Sequence, residues 1–195
     1  ATLFQIADSA AAEILSLARG DSPSPLPVKE DTAPIEDDEF LLEDIQARSR
    51  ELIKDKLDKL DWDQMQEVVA GMLRAMGYKT RVSKAGPDRG KDIIASPDGF
   101  GFESPRILVE VKHRKGQMGA QEIRSFLGGR HKDDKGLYVS TGGFSKDARY
   151  EADRASIPVM LMDLNDLADS ILDYYEGMDE EMRSLVPLTK IYWPT

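Results

Sequence analysis

One segment, Arg106–Lys112 (RILVEVK), constrains the fold of this chain more than any other. It is rich in Val, Ile and Leu, and Pro105 and Gly116 lie on either side of it, a pattern that predicts a β-strand. Successive side chains of a strand point to opposite faces. Glu110 and Lys112 therefore lie two residues apart on one face, while the alternate apolar residues point the other way.

A second strand-like run, residues 91–96, precedes this strand and ends at the turn signal Pro97-Asp98-Gly99, with Gly101 soon after it. Two short apolar runs joined by such a turn are typical of a β-hairpin. The hairpin can bring Asp92, eighteen positions before Glu110, beside that glutamate. The sequence therefore predicts a pair of carboxylates on neighbouring strands.

Paired carboxylates and a nearby amine indicate a particular chemistry. Two carboxylates about 4 Å apart repel by roughly 4 kcal/mol at an effective dielectric near 20, so they normally share a proton or a cation. Mg²⁺ fits, because it takes oxygen ligands from one or two carboxylates, water and phosphate. Lys112 can then orient or deprotonate an attacking water, or stabilise charge on the phosphate. The three residues favour phosphodiester hydrolysis, although a Glu-x-Lys pair alone is more often a solvated ion pair.

Four segments, in order along the chain, carry a resemblance to a known family. They are Val69–Tyr78 (VAGMLRAMGY), Gly86–Ile94 (GPDRGKDII), Leu108–His113 (LVEVKH) and Gly136–Ala148 (GLYVSTGGFSKDA). Through them, the region from about residue 62 to residue 172 resembles the catalytic domain of the Mrr-like restriction endonucleases, within the PD-(D/E)xK nuclease superfamily. Several ordered motifs make a more specific signal than any single motif.

The resemblance has consequences for fold and site. It implies a restriction-endonuclease-like α/β fold, in which helices flank both faces of a mixed β-sheet. It also implies that Asp92 and Glu110 bind the metal, Mg²⁺ with Mn²⁺ as a substitute, that Lys112 is catalytic, and that double-stranded DNA is the substrate. In that family a glutamate often lies early on the first helix. The register set by the Gly-Tyr pair that follows the helix places Gln66 there, with Glu67 adjacent.

The other elements follow from periodicity and caps. A helix capped by Asp61 or Asp63 and closed by Gly77 precedes a predicted strand over 78–83. Further helices are predicted over 120–127, 145–155 and 164–175, and strands over 137–140 and 157–162, the last one buried. Gln121, early on the helix over 120–127, is a further candidate for the site, although a glutamine at such a position more often forms a surface hydrogen bond. Strands that alternate with helices predict a mixed sheet covered on both faces. The residues expected to point inward from the last helix are Leu167, Ile171 and Leu172.

We expect three parts in the chain. Residues 1–60 form an α-helical extension, in which helices over 3–19 and 40–60 flank a Pro-rich acidic linker at about 20–38. Residues 61–176 form the nuclease domain, and 177–195 a C-terminal tail whose aromatic end docks on a partner or on the domain. The helix over 40–60 can pack on the domain, mediate dimerisation or belong to a truncated domain. Its apolar stripe consists of Leu41, Ile45, Leu52 and Leu60.

Composition excludes several kinds of site. The chain has no cysteine, which excludes disulfides and thiolate zinc sites and fits a reducing cytoplasm. Its two histidines, His113 and His131, are too few for a histidine-rich metal site. No apolar run reaches the length that spans a bilayer. We therefore expect a cytoplasmic protein without a membrane partner.

The net charge of −10 is unevenly spread. Residues 1–60 carry 7 basic and 14 acidic side chains, which leaves a net charge of −3 for the rest. Between residues 112 and 135, seven Lys and Arg side chains outnumber three acids. DNA affinity depends on such local neutralisation of phosphates, although a mixed-charge surface is also ordinary. The candidate DNA contacts are Lys84, Arg89, Lys91, His113, Arg114, Lys115, Arg124 and Arg130, with Ser140 and Thr141 in a predicted turn.

Three functional hypotheses remain open at this point. The first is a Mg²⁺-dependent DNA endonuclease, similar to type IV restriction enzymes, that acts against foreign or modified DNA, including viral DNA. A dimer is then expected, because one site cuts one strand. The second is a catalytically inert DNA-binding or assembly module on the same fold, which Gln66 favours. The third is a structure-specific repair nuclease.

Overall fold

The computed structural model describes residues 35–83 and 92–192, with side chains from Phe40 onward. The predicted helix over 3–19, most of the linker, the loop with Lys84, Arg89 and Lys91, and the last aromatic residue, Trp193, lie outside the described residues. The chain divides into two compact units, residues 1–39 and residues 40–195, and the sheet with its covering helices belongs to the second unit.

Five strands and six α-helices make up the described chain. The strands are β1 (Lys79–Val82), β2 (Ile93–Ser96), β3 (Arg106–Lys112), β4 (Asp134–Ser140) and β5 (Val159–Met162). The helices are α1 (Ile35–Leu57), α2 (Trp62–Ala75), α3 (Ala120–Leu127), α4 (Lys146–Asp153), α5 (Leu164–Tyr174) and α6 (Glu180–Leu185), with a 3₁₀ turn at Tyr175–Gly177.

The strands form one mixed sheet in the order β1-β2-β3-β4-β5. β1, β2 and β3 are antiparallel neighbours, so the predicted hairpin is confirmed. β3, β4 and β5 are parallel, because α3 and α4 connect them as crossovers. In this register Ile93 lies opposite Val109. Since β2 begins there, Asp92 enters the sheet beside the middle of β3.

Helices cover both faces of the sheet, as predicted. On one face, α2 and α5 pack on a core that includes Val109 and Val111. On the other face, α3 and α4 enclose a smaller aromatic core around Tyr138. Because strand residues alternate, the face with Tyr138 is also the face of Glu110, its partner in the β3–β4 register.

Short-range polar contacts hold the elements that deliver the site. Of the two predicted caps of α2, the structure uses Asp61, which forms a capping box with Gln64. Gly77, two residues after the end of this helix, has a φ of +96°. In the hairpin loop, Asp98 accepts hydrogen bonds from the Ser96 hydroxyl and from three backbone N–H groups. Desolvation raises the pKa of Asp98, but these bonds outweigh it and hold the pKa well below its ordinary value.

Two terminal regions differ from the sequence expectations. In α1, Ile53 and Leu57 are buried in the core that contains Val109 and Val111, which we call the main core. They lie one turn apart at the end of the helix that reaches the domain. The predicted stripe is instead largely exposed at Leu41, Ile45 and Leu52. At the other end, residues of the predicted tail join the same core, namely Met178, Met182 and Val186.

Two predictions of burial were wrong. β5 is an edge strand that pairs only with β4, and Met160 in it is 54% exposed. On α5, Leu167 and Ile171 are buried as predicted, but Leu172 is 40% exposed because it lies past the inward stripe of the helix. Within the described ranges, no helix combines the length and apolar character needed to cross a bilayer.

Candidate active site

Asp92 is held against β3 by two hydrogen bonds. Its backbone N–H donates to the carbonyl oxygen of Val109 (2.9 Å), and its Oδ2 accepts from the backbone N–H of Val111 (2.7 Å). These two residues flank Glu110 in sequence. The hairpin therefore places the Asp92 carboxylate next to the strand position of Glu110, as the sequence predicted.

The side chain of Glu110 is enclosed on the second face of the sheet. Glu110 is only 8% exposed. Its Oε1 lies 2.8 Å from Lys112 Nζ and 3.5 Å from the Tyr138 hydroxyl, which donates to it. The Lys112 side chain keeps 33% of its surface exposed, so it connects the buried glutamate with solvent. Asp92, Glu110 and Lys112 thus lie together in the structure.

The surroundings of Glu110 disfavour its charged form. Burial raises the pKa of Glu110, and the nearby Asp92 carboxylate raises it further. The ion pair with Lys112 and the more distant Arg130 lower it, without cancelling the effect of burial. Burial also raises the pKa of the Tyr138 hydroxyl, so this group remains a neutral hydrogen-bond donor. A buried acid beside a second acid is an arrangement that a cation stabilises.

The chemistry of these donors fits a hard divalent cation. Asp92 and Glu110 offer carboxylate oxygens only, which suits Mg²⁺ or Mn²⁺ better than a soft metal. Within residues 35–83 and 92–192, no hydrogen bond reaches the second oxygen of either carboxylate. In these same ranges no cluster of three His, Asp or Glu side chains occurs. A cation at this place would therefore have to complete its coordination with water and phosphate oxygens.

A polar cavity opens just after the end of β3, between the β3–α3 loop and the β4–α4 turn. It has a volume of about 530 Å³ and is lined by Asp58, His113, Arg114, Lys115, Gly116, Thr141 and Gly142. The two loops approach so closely that a Cβ on Gly142 would clash with the Gly116 carbonyl oxygen. Four of the predicted DNA contacts, His113, Arg114, Lys115 and Thr141, therefore meet in one cavity.

His113 fixes one wall of this cavity. Its Nε2 lies 2.8 Å from the Leu60 carbonyl oxygen, and its Nδ1 lies 3.3 Å from Thr141 Oγ1. Because the carbonyl can only accept, Nε2 carries the proton and Nδ1 can accept from the threonine hydroxyl. The histidine thus joins the residue before the α2 cap to the ends of β3 and β4.

The remaining predicted site residues lie in varied environments. Gln66 is 2% exposed, and its Nε2 has no hydrogen-bond partner in the described part of the chain. Glu67 forms an ion pair with Arg74 (2.6 Å), which also binds Asp179 of the C-terminal region, so Glu67 serves α2–α6 packing. Gln121 is exposed on α3.

Three of the predicted DNA contacts are paired, packed or buried in the structure. Arg124 pairs with Glu151 (3.0 Å). Arg130 lies over the Phe126 ring, 4.5 Å from its centroid, and its Nε donates to the Phe126 carbonyl oxygen. Ser140 is completely buried as the last residue of β4, and its carbonyl oxygen accepts from the Gly143 N–H in the turn that follows. Its side chain therefore has no exposed surface for the predicted DNA contact.

Sequence reasoning missed Tyr138 as a neighbour of Glu110. The strand containing Tyr138 was predicted, but its pairing with β3 and its register were not. The alternation of β4 alone shows that Tyr138 and Ser140 share a face. Only the observed register shows that this face is the one that carries Glu110 and Lys112.

Two known proteins match parts of this chain. The uncharacterized protein y4cE of Sinorhizobium fredii (strain NBRC 101917 / NGR234) is 29% identical over 116 residues, which cover 56% of this chain and 29% of that protein. The chain thus spans less than a third of the length of this relative. A solved structure of the MspJI restriction endonuclease in complex with a 27-mer oligonucleotide matches 85% of this chain and 39% of that one, with 19% identity and a TM-score of 0.42.

A family model also matches more than half of this chain. The Mrr_cat model, described as a restriction endonuclease, matches residues 57–171. This range contains Asp92, Glu110 and Lys112, all five strands, and the loops of the polar cavity. Because the match covers more than half of the sequence, the chain belongs to the Mrr_cat family of restriction endonucleases.

Proposed function

We propose that this protein is a Mg²⁺-dependent endonuclease that hydrolyses phosphodiester bonds of double-stranded DNA, in restriction of foreign or modified DNA. The observation that carries the proposal is the grouping of Asp92, nearly buried Glu110 and partly exposed Lys112 at one point of β3. Restriction endonucleases generally depend on a divalent metal, and these side chains offer the oxygen ligands that such a metal prefers. Mn²⁺ is the expected substitute.

Each residue has a distinct role in this proposal. Asp92 and Glu110 would hold the cation, which when bound would act as a Lewis acid on the phosphate. Withdrawal of Glu110 towards the cation would release N–H groups of the Lys112 ammonium. With them Lys112 orients the attacking water or stabilises charge on the phosphate. Tyr138 remains neutral and keeps the Glu110 carboxylate in place by its hydrogen bond.

The polar cavity after the end of β3 is the proposed seat of the DNA backbone. Arg114 is 56% exposed in its side chain and is only loosely paired with Glu122, at 3.6 Å. Lys115 is exposed, and no ion pair of it occurs among the described residues. Together with the Thr141 hydroxyl and backbone N–H groups of the glycine-containing loops, these cations can neutralise phosphates next to the bond to be cut.

A plasmid-nicking assay tests the proposal. We expect wild-type protein to convert supercoiled DNA to nicked and linear forms with Mg²⁺ or Mn²⁺ but not with EDTA. Asp92→Asn removes a metal ligand and should abolish cutting, and Lys112→Ala should lower the rate by about 10²- to 10⁴-fold. Asp169→Asn makes the same chemical change on the surface, where Asp169 pairs with Arg50, and should cut normally. Cutting by Asp92→Asn at the wild-type rate would contradict the proposal.

One observation favours a second candidate, a DNA-binding module without cleavage. Gln66 occupies the position at which related proteins often carry a glutamate, and its amide nitrogen is buried without a partner in the described residues. An amide cannot supply the negative charge of a third acidic ligand. Wild-type protein that binds DNA but does not cut it would support this candidate, and gain of metal-dependent cutting by Gln66→Glu would identify the missing charge as the cause.

A further inference from the structure

The hydroxyl of Ser140 is a buried polar group without a partner among the described residues. Ser140 is fully buried at the end of β4, and its Oγ forms no hydrogen bond within that part of the chain. A buried polar group left without a partner normally destabilises a fold. Ser96, on β2, is a useful contrast, because it is also buried but its Oγ donates to Asp98 and accepts from the N–H groups of Gly99 and Gly101. The Ser140 hydroxyl thus calls for an explanation that the fold does not supply.

The sheet register places this hydroxyl beside Lys112. In the parallel β3–β4 pairing, Lys112 lies opposite Ser140, two positions after Glu110 lies opposite Tyr138. The contact between the Tyr138 hydroxyl and Glu110 shows that side chains of these paired positions share one face. Neighbouring strands lie about 4.8 Å apart, so the side chains of Ser140 and Lys112 are direct neighbours on this face. The backbone is also fixed here, because the Thr141 N–H donates to the Lys112 carbonyl oxygen (3.1 Å).

Lys112 has more donors than the structure uses. Its ammonium carries three N–H groups, and one contact, to Glu110 Oε1, is made among the described residues. If Glu110 turns its carboxylate to a divalent cation, as the proposed function requires, this acceptor is withdrawn or shared. A nearby neutral oxygen on a rigid strand can then replace it. Ser140 Oγ is such an oxygen, and its burial keeps bulk water from competing for the ammonium.

We propose that Ser140 is a positioning residue for Lys112, whose ammonium donates a hydrogen bond to Ser140 Oγ in the reacting arrangement. The inference rests on the proposed nuclease function and deepens it. Because Ser140 is out of reach of a duplex, it acts on the reaction through Lys112 and not by binding DNA. The unsatisfied hydroxyl is thus kept at some expense of stability for the sake of turnover.

Ser140→Ala separates this role from a structural one. The variant should have an unchanged or higher thermal midpoint, since it removes a hydroxyl that has no partner among the described residues, and its kcat should fall by up to about 10²-fold because Lys112 is misplaced. KM, measured with Mg²⁺, should stay as in wild type. The Kd for DNA, measured in EDTA, should also be unchanged. Ser96→Ala is the matched control, and it should lower the thermal midpoint while leaving kcat unchanged.

A double variant tests whether the effect passes through Lys112. In the Lys112→Ala background, Ser140→Ala should cause no further loss of rate, since the residue that it positions is gone. If Ser140→Ala lowers the rate equally in the Lys112→Ala background, the inference is overturned. It is also overturned if the single variant Ser140→Ala has the kcat of wild type, or if it has a lower thermal midpoint and binds DNA more weakly. If wild-type protein fails to cut with either metal, the proposed function falls together with this inference. Normal wild-type cutting with an unaffected Ser140→Ala overturns the inference alone.

Discussion

At Glu110, the charge that would bind a cation is also a charge that destabilises the fold. Its carboxylate lies almost out of water, beside Asp92, and one lysine contact does not offset the desolvation. In the folded state its pKa is therefore raised above the ordinary value of 4.5. The charged form of Glu110 destabilises the fold in the absence of a cation, and that same unfavourable charge is what makes the site attract one.

Glu110→Gln should stabilise the metal-free protein at neutral pH. A pKa raised by folding means that the destabilisation is absent below the ordinary pKa and grows as the pH rises through the raised pKa. The melting point of the variant in EDTA should thus exceed that of wild type at pH 7, and the difference should vanish towards pH 4. Each 1 kcal/mol gained raises the midpoint of a protein of this size by about 2–4 °C.

The control for this prediction is Glu103→Gln, in which the exposed Glu103 undergoes the same chemical change. Its midpoint should follow that of wild type at every pH, because water already solvates the charge. A Glu110→Gln variant that melts below wild type at pH 7 would show that the Lys112 ion pair outweighs the burial of the carboxylate.

At the scale of elements, what is local in sequence could be predicted and what is distant could not. The β2–β3 hairpin follows from a turn signal and two adjacent apolar runs, so the meeting of Asp92 with Glu110 was predictable. The pairing of β3 with β4 depends on a crossover through α3, and no residue pattern specifies its register. Tyr138 was therefore predicted on a strand but not at the site, and Ser140 was predicted as a DNA contact but not as a neighbour of Lys112.

The C-terminal helix α6 shows a signal that composition concealed. Its region is acidic and was predicted to be a tail whose aromatic end docks, yet Met178, Met182 and Val186 recur every four residues, the spacing of a helical stripe. All three are buried against the main core. Gly71 of α2 makes this packing feasible, because a Cβ there would lie 2.8 Å from Met182 Cγ and 2.9 Å from Met182 Cβ.

We therefore expect Gly71→Ala to destabilise the protein although alanine favours the helix. The helix propensity gained is up to about 1 kcal/mol, whereas overpacking of a core typically costs about 1–3 kcal/mol. Chemical denaturation should show a lower midpoint. In a Met182→Ala background the penalty should shrink, because the clashing Cγ is absent. A more stable Gly71→Ala variant would show that α6 yields without loss of packing.

For the whole molecule, the distribution of charge matters more than its sum. Of the net charge of −10, −7 lies in residues 1–60, and the polar cavity carries Arg114 and Lys115. The sequence indicated this basic stretch, while its convergence with Thr141 depended on the close packing of two loops. Dimerisation, the three-part division of the chain and a cytoplasmic location stay predictions.

The affinity for DNA should therefore depend on salt through a small number of contacts between basic side chains and phosphates. In the Asp92→Asn background, the slope of log K against log salt should fall in magnitude by about 1 for Lys115→Ala and again for Arg114→Ala, because each removes one phosphate contact. Fluorescence anisotropy with a labelled duplex measures the slope. Arg48→Ala on α1, where Arg48 pairs with Asp44, should leave it unchanged. An equal change for Arg48 would place the DNA elsewhere.

The insertion of Ile53 and Leu57 into the core determines where the chain can be shortened. The family match begins at residue 57, yet truncation there would discard Ile53, which is only 1% exposed. Losing a buried aliphatic side chain typically costs about 2–5 kcal/mol, out of a total stability of about 5–15 kcal/mol. The smallest fragment that keeps its fold must therefore start upstream of that isoleucine, within α1, and not at the border of the region that the family model matches.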